Sequence, residues 1–234
     1  AKPKSKSMIN IIKFYFTALL LFSSFSSVSA QQSAPSPPDF KATLAKANQG
    51  IAISQSQLGL MYEKGVGVKA DPVQAAIWYT KAAEQGDAPA QLSICSMYFD
   101  GRGVQKNYTQ SALWCSKAAE QGNALAQYLF GHLNLNGLGV TKNPNLAAKW
   151  FTKAAEQGIV PAQTMLGVMY GLGNGVPKDD VLAYVWFYLA AATGDSNAIN
   201  NRTIMEKKLT AKQILEGKKL ATQWQVGQSI QRQP

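Results

Sequence analysis

The sequence predicts an all-α fold: an alpha/alpha superhelical solenoid of about four 36-residue helix–turn–helix repeats with partial capping helices. Three observations carry that prediction. Trp78, Trp114, Trp150 and Trp186 stand 36 residues apart. Gly50, Gly86, Gly122, Gly158 and Gly194 keep the same period. So do the pairs Gly65/Gly67, Gly101/Gly103, Gly137/Gly139 and Gly173/Gly175. A fixed period in the thirties marks stacked supersecondary units, because one such unit cannot bury its apolar face alone. Stacked repeats present surfaces more than pockets, which weighs against an enzyme.

The elements follow in chain order. Residues 1–7 precede the first methionine and read as an extension or tag. Residues 8–30 read as a secretory signal peptide. Lys13 ends a short basic, polar start, Phe14 to Phe22 is apolar, and Val28-Ser29-Ala30 fits a small-residue cleavage site. The apolar run falls short of the ~20 residues that span a bilayer. Cleavage after Ala30 would therefore leave no stable membrane span, in a periplasmic or secreted chain. Residues 31–39 are rich in Pro, Ser and Gln and read as a flexible tether. Residues 40–50 match only the second half of a repeat, an N-terminal capping helix.

Residues 51–194 hold the four repeats: 51–86, 87–122, 123–158 and 159–194. Each begins with a helix around Leu-Gly-x-Met-Tyr, as in Leu58-Gly59-Leu60-Met61-Tyr62 and Leu166-Gly167-Val168-Met169-Tyr170. A Gly-x-Gly-Val loop follows, and its glycines allow the positive φ of a tight turn. A second helix then carries the tryptophan. Pro72 and Pro144 fall just inside second helices, where a missing amide costs little. Lys-Ala-Ala-Glu-Gln-Gly closes the first three copies, and the last glycine suits the position past a helix end. Residues 195–234 read as C-terminal capping helices and a tail, with Ala198 in step with Ala162 and Thr210 as an N-cap.

These motifs together resemble the Sel-one-like repeat (SLR) family, a relative of the tetratricopeptide repeats, over roughly residues 40–225. The resemblance implies an alpha/alpha superhelix with a concave groove that serves other proteins as adaptor or scaffold. In secreted bacterial members it implies envelope assembly, signalling or host interaction. It brings no shared catalytic residues.

The tetratricopeptide register also implies groove positions three before, one after and four after the glycine of Leu-Gly-x-Met-Tyr. These are Ser56, Leu60 and Glu63; Leu92, Ser96 and Phe99; Tyr128, His132 and Leu135; Thr164, Val168 and Gly171. The middle units would then present Phe99, Tyr128, His132 and Leu135 together, and aromatic residues are favoured interface anchors.

Without the four lysines of residues 1–30, the 23 basic residues fall to 19 against 13 acidic, a net charge of +6. Lys81, Lys117 and Lys153 recur as a solvated helix face, and no nucleic-acid motif is present. Two cysteines in an exported chain suggest a disulfide. Cys95 and Cys115 lie on the two helices of one unit, so a bridge would staple that hairpin; two buried free thiols are the alternative. Cys95 takes the place of a packing glycine and is expected to face inward. His132, the single histidine, makes no zinc site alone. Gly171 to Gly175 lacks the strand and the Lys-Ser/Thr of a phosphate loop. Asn107-Tyr108-Thr109 fits a glycosylation acceptor, and Asp179-Asp180 suits a helix start.

The expectation is a monomeric, non-catalytic adaptor or scaffold, without cofactor or metal, that binds a protein or peptide in its groove. Two rivals stand beside it. An envelope enzyme or regulator of cell-wall hydrolysis would need convergent polar residues with shifted pKa values, with Glu63 and His132 as candidates. A purely structural scaffold or host-interaction factor would not depend on the groove aromatics.

Overall fold

The computed structural model describes residues 39–230, and those residues form eleven helices and no strand. The expected extension, signal peptide and nearly all of the tether lie outside the described residues. The helices are α1 (Phe40–Asn48), α2 (Ala52–Lys64), α3 (Pro72–Glu84), α4 (Ala88–Asp100), α5 (Tyr108–Glu120) and α6 (Ala124–Asn136), then α7 (Pro144–Glu156), α8 (Val160–Leu172), α9 (Asp180–Ala191), α10 (Ser196–Lys208) and α11 (Ala211–Gln223). The even-numbered helices from α2 to α10 are the first helices of the units, and α3, α5, α7 and α9 are the second. Each helix from α1 to α9 packs on the next along the chain, while α11 turns back onto α9.

Polar caps set the helix starts. Asp71, Asn107, Asn143 and Asp179 are extended and accept backbone N–H groups from the first turn of each second helix. The Asp179-Asp180 pair is thus a helix start, and Asn107 holds the end of α5. Asp87, Asn123 and Asp195 do the same for α4, α6 and α10, whereas α2 and α8 begin at isoleucines without a side-chain cap. Thr210 and Gln213 form a reciprocal capping box on α11.

The two loop glycines have separate duties. Gly65, Gly101, Gly137 and Gly173 end the first helices in the left-handed region, at φ between 68° and 76°. The second loop glycine is a contact between units. A Cβ at Gly103, Gly139 or Gly175 would collide with the backbone carbonyl of Pro72, Tyr108 or Pro144, at the start of the preceding second helix.

Inside the units, the helix glycine sits under an aromatic ring. A Cβ at Gly59 would come 2.8 Å from Tyr79, and one at Gly131 would come 2.9 Å from Phe151. Gly167 and Phe187 repeat the pair. In the second unit these two positions are Cys95 and Cys115, which are joined by a disulfide with their α-carbons 5.3 Å apart. The structure therefore holds the bridge and not the two free thiols. A covalent link stands where the other units place a ring on a glycine.

A ladder of glutamines ties the stack together. Gln55, Gln91, Gln127 and Gln163 are buried in the first helices. Each donates its Nε2–H to a carbonyl near the end of the preceding second helix: Ala47, Ala83, Ala119 and Ala155, at 3.1 to 3.3 Å. The Oε1 atoms of Gln55, Gln91 and Gln127 accept from Gln85, Gln121 and Gln157 of the same units, at 2.6, 2.8 and 2.8 Å. Gln121 and Gln157 also reach back to the carbonyls of Gly86 and Gly122. Last-turn carbonyls lack helical partners and would be costly to bury unmet. In the fourth unit Thr193 stands where the next glutamine would fall, and its hydroxyl donates instead to Ala190 at 2.7 Å.

Candidate functional site

The first-helix row is where the sequence places the groove, and the structure divides its residues into two groups. Ser96, Tyr128 and His132 are buried, with His132 only 7% exposed. Leu92, Phe99, Leu135 and Glu63 are half-buried. The rings of Phe99 and His132 meet edge to face at 6.2 Å, and Phe99 also meets Tyr108 at 5.4 Å. Tyr128 turns its ring to Phe151 at 5.8 Å. Leu92 packs on Ala118, Ala119 and Ala126. The structure thus brings Phe99 and His132 together, but with His132 beneath and Tyr128 directed into the core.

The reason is a one-unit overlap. The residue four after the glycine lies over the residue one after the glycine in the next unit, as Phe99 lies over His132. Where that cover is missing, the covered position opens. Leu60 has no first helix before it among the described residues, and it is 45% exposed. Ile204 follows the side-chain-free Gly171 in register, and it is 61% exposed. Leu172, beside Gly171, is 72% exposed. The accessible apolar side chains of this row therefore stand at its two ends.

The charged group of the row is already engaged. Glu63 accepts a hydrogen bond from the Tyr79 hydroxyl at 2.9 Å and pairs with the Arg102 guanidinium at 2.9 Å. Arg102 also lies 3.4 Å from Asp100. Burial alone would raise the Glu63 pKa, but the bonds from Arg102 and Tyr79 outweigh it and hold the carboxyl below its ordinary value. Burial and the adjacent carboxylate push the Tyr79 hydroxyl upward. His132 is driven the other way: burial disfavours its charged form and lowers its pKa, and both ring nitrogens are buried without a hydrogen-bond partner. Glu63 is an ionised structural anchor and His132 a neutral core ring, an arrangement suited to holding two units together.

The second-helix row was less visible in the sequence. Lys81, Lys117 and Lys153 place their ammonium groups 4.2, 4.6 and 4.5 Å from the ring centroids of Trp78, Trp114 and Trp150. Their three-residue spacing on a helix was the available signal. Among the described residues, no group of three or more His, Cys, Asp or Glu side chains could hold a metal ion, and no helix is long and apolar enough to cross a membrane.

A family model for the Sel1 repeat matches residues 52–87, 88–123, 124–159 and 160–195. The chain belongs to the Sel1 repeat family. Sel1 repeat proteins typically mediate protein–protein interaction, and their fold is generally a non-catalytic scaffold. A crystal structure of a Sel1 repeat protein from Oxalobacter formigenes is similar, with 33% identity over 79% of this chain and 78% of that one, at a TM-score of 0.68. A protective antigen present in uropathogenic Escherichia coli strains, displaying an SLR fold, is 35% identical over 78% of this chain, at a TM-score of 0.51. The match spans 47% of that antigen. No curated protein matches the sequence.

Proposed function

We propose that this Sel1 repeat protein is an exported adaptor of the bacterial envelope that binds another protein or peptide along its first-helix row. The observation that carries the reading is the row itself: four units in register, with apolar side chains left open at Leu60, Leu172 and Ile204. Those residues, with half-buried Phe99 and Leu135 between them, offer separated anchors on a scaffold fixed by the glutamine ladder. A scaffold ordered before binding loses little conformational entropy on binding. The Cys95–Cys115 bridge supports export, because disulfides persist in oxidising compartments. Glu63, spent on Arg102 and Tyr79, favours the adaptor over a cell-wall hydrolase.

The test is affinity capture from a bacterial envelope extract, with wild type beside Leu60→Glu and Leu172→Glu. Both substitutions fall on exposed positions, so the fold is expected to survive, as far-UV circular dichroism would verify. A protein retained by wild type and lost by either variant supports the first-helix row. Equal retention by all three rules that row out as the docking surface. Fractionation of the producing cells tests export: the chain is expected outside the cytoplasm, and recovery only from cytoplasm contradicts it.

A further inference from the structure

The last junction of the stack is built unlike the others. In α3, α5 and α7 a lysine covers the tryptophan, but in α9 that position is Leu189. Trp186 instead meets the ring of Trp224 edge to face, at 6.3 Å between centroids. Trp224 opens the segment after α11, which then runs onto the end of α7. The Gly227 N–H donates to the Glu156 carbonyl at 2.6 Å, and the Ser229 hydroxyl donates to the Glu156 carboxylate at 2.5 Å. Val226 lies beside Gly158. The Trp224 indole N–H donates to the Gln228 carbonyl at 2.7 Å, which closes the segment into a turn.

We propose that the junction formed by Trp186, Glu156 and Gly158 is a docking site for an extended, uncharged peptide bearing a tryptophan, and that the chain's own tail occupies it in cis. The tail supplies the chemistry of the ligand. Residues 224–230 carry no charged side chain. Their hold on the solenoid is one indole contact, one main-chain bond and one hydroxyl bond. Recognition through main-chain groups with one side-chain anchor is how extended peptides are commonly read, and a second peptide can supply the same groups. The tail is also lightly seated, with Val226 67% exposed and Gln225, Gln228 and Ser229 exposed beside it. At the earlier junctions the indoles lie under lysines and the carbonyls of Gly86 and Gly122 take Gln121 and Gln157, whereas Thr193 stands where the glutamine for Gly158 would.

This site rests on the reading that the protein binds a peptide, and it adds a contact on the second-helix side, apart from the first-helix row. The probe is a fluorescein-labelled peptide of residues 221–234, titrated against the full chain and against its Gly227→Pro variant. Proline cannot take the φ of 90° found at Gly227 and has no N–H to give Glu156, so the resident tail is unseated. The peptide is expected to bind the variant at least tenfold more tightly than wild type, and Trp186→Ala in the variant should abolish that binding. Equal affinity for variant and wild type, or no binding to a variant that melts cooperatively, overturns the proposal. Should Gly227→Pro not fold, Trp224→Ala in the full chain makes the same comparison. Leu60→Glu leaves peptide affinity unchanged, so failure of the first-helix row and failure of this site are read separately.

Discussion

From α1 to α8, every unit boundary is crossed by a buried glutamine that reaches the carbonyls of the helix before it. At the end of α7 a surface tail joins Gln163, and in the fourth unit Thr193 stands where a bracing glutamine would. The two constructions meet one physical need. The last turn of a second helix leaves carbonyls that must be satisfied or solvated. Gln55, Gln91 and Gln127 meet them from inside and are themselves braced by Gln85, Gln121 and Gln157. At the end of α7, Gln163 still reaches Ala155, but Gly227 reaches Glu156 from outside. A side chain inside the core cannot be exchanged for a partner's group, whereas a surface tail can. The difference separates the part of the molecule that must remain rigid from the part able to trade contacts.

The largest expected effect comes from the loops that press one unit on the next. Gly139→Ala would drive a Cβ into the Tyr108 carbonyl at a positive φ, so backbone must move. A loss of more than about 4 kcal/mol is expected, in the range reserved for such collisions. Gly122→Ala shares the positive φ but meets nothing within 4 Å, and should lose only about 1–2 kcal/mol. Urea denaturation of the two variants measures the gap, and similar losses would mean that the loop does not bear on its neighbour.

The disulfide comes next. Reducing it, or replacing both cysteines by alanine, should cost about 3 kcal/mol for a loop of this length. The pair Cys95→Gly/Cys115→Phe rebuilds the ring-on-glycine contact of Gly131 and Phe151, and should recover part of that loss. No recovery in thermal melts would show that the second unit has diverged too far to accept the common pair.

Acidification gives a smaller effect, located where Phe99 covers His132. The folded pKa of His132 lies below its ordinary 6.5 because burial disfavours the imidazolium. The unfolded chain therefore binds the proton more readily. Stability is full above pH 6.5 and falls as pH drops below it toward the folded value, after which it levels off. His132→Val, which copies the residue at Val168, should remove that decline from a series of melts. Glu63 adds a separate loss at lower pH: its folded pKa lies below 4.5, so its contribution is present above 4.5 and is lost as pH falls through the folded value.

Much of this architecture was legible in the sequence because glycine, proline and capping residues act locally. Gly101 ends a helix and Pro72 starts one whatever the neighbouring unit does. The Cys95–Cys115 pairing was open to inference because one unit carried both exceptions to the repeat. The glutamines were not legible. Gln55 and Gln85 stand 30 residues apart, and only their meeting in the folded unit, with Gln55 reaching back to Ala47, makes them part of a ladder. The groove residues were misleading for a related reason. Tyr128 and His132 lie on the expected helices, but Phe151 and Phe99, contributed from other helices, decide that they are interior. Trp224 carried no periodic signal, because α11 begins after a loop shorter than the repeat prescribes.

A double-mutant cycle tests the central claim, that the ladder glutamine is braced by a second glutamine in units one to three and is left unbraced in the fourth. Gln127→Ala, Gln157→Ala and the double variant are compared with Gln163→Ala, Thr193→Ala and their double, by urea denaturation. The account predicts a coupling of about 1 kcal/mol for Gln127 with Gln157, and additivity within about 0.5 kcal/mol for Gln163 with Thr193. Equal coupling in the two cycles would contradict it.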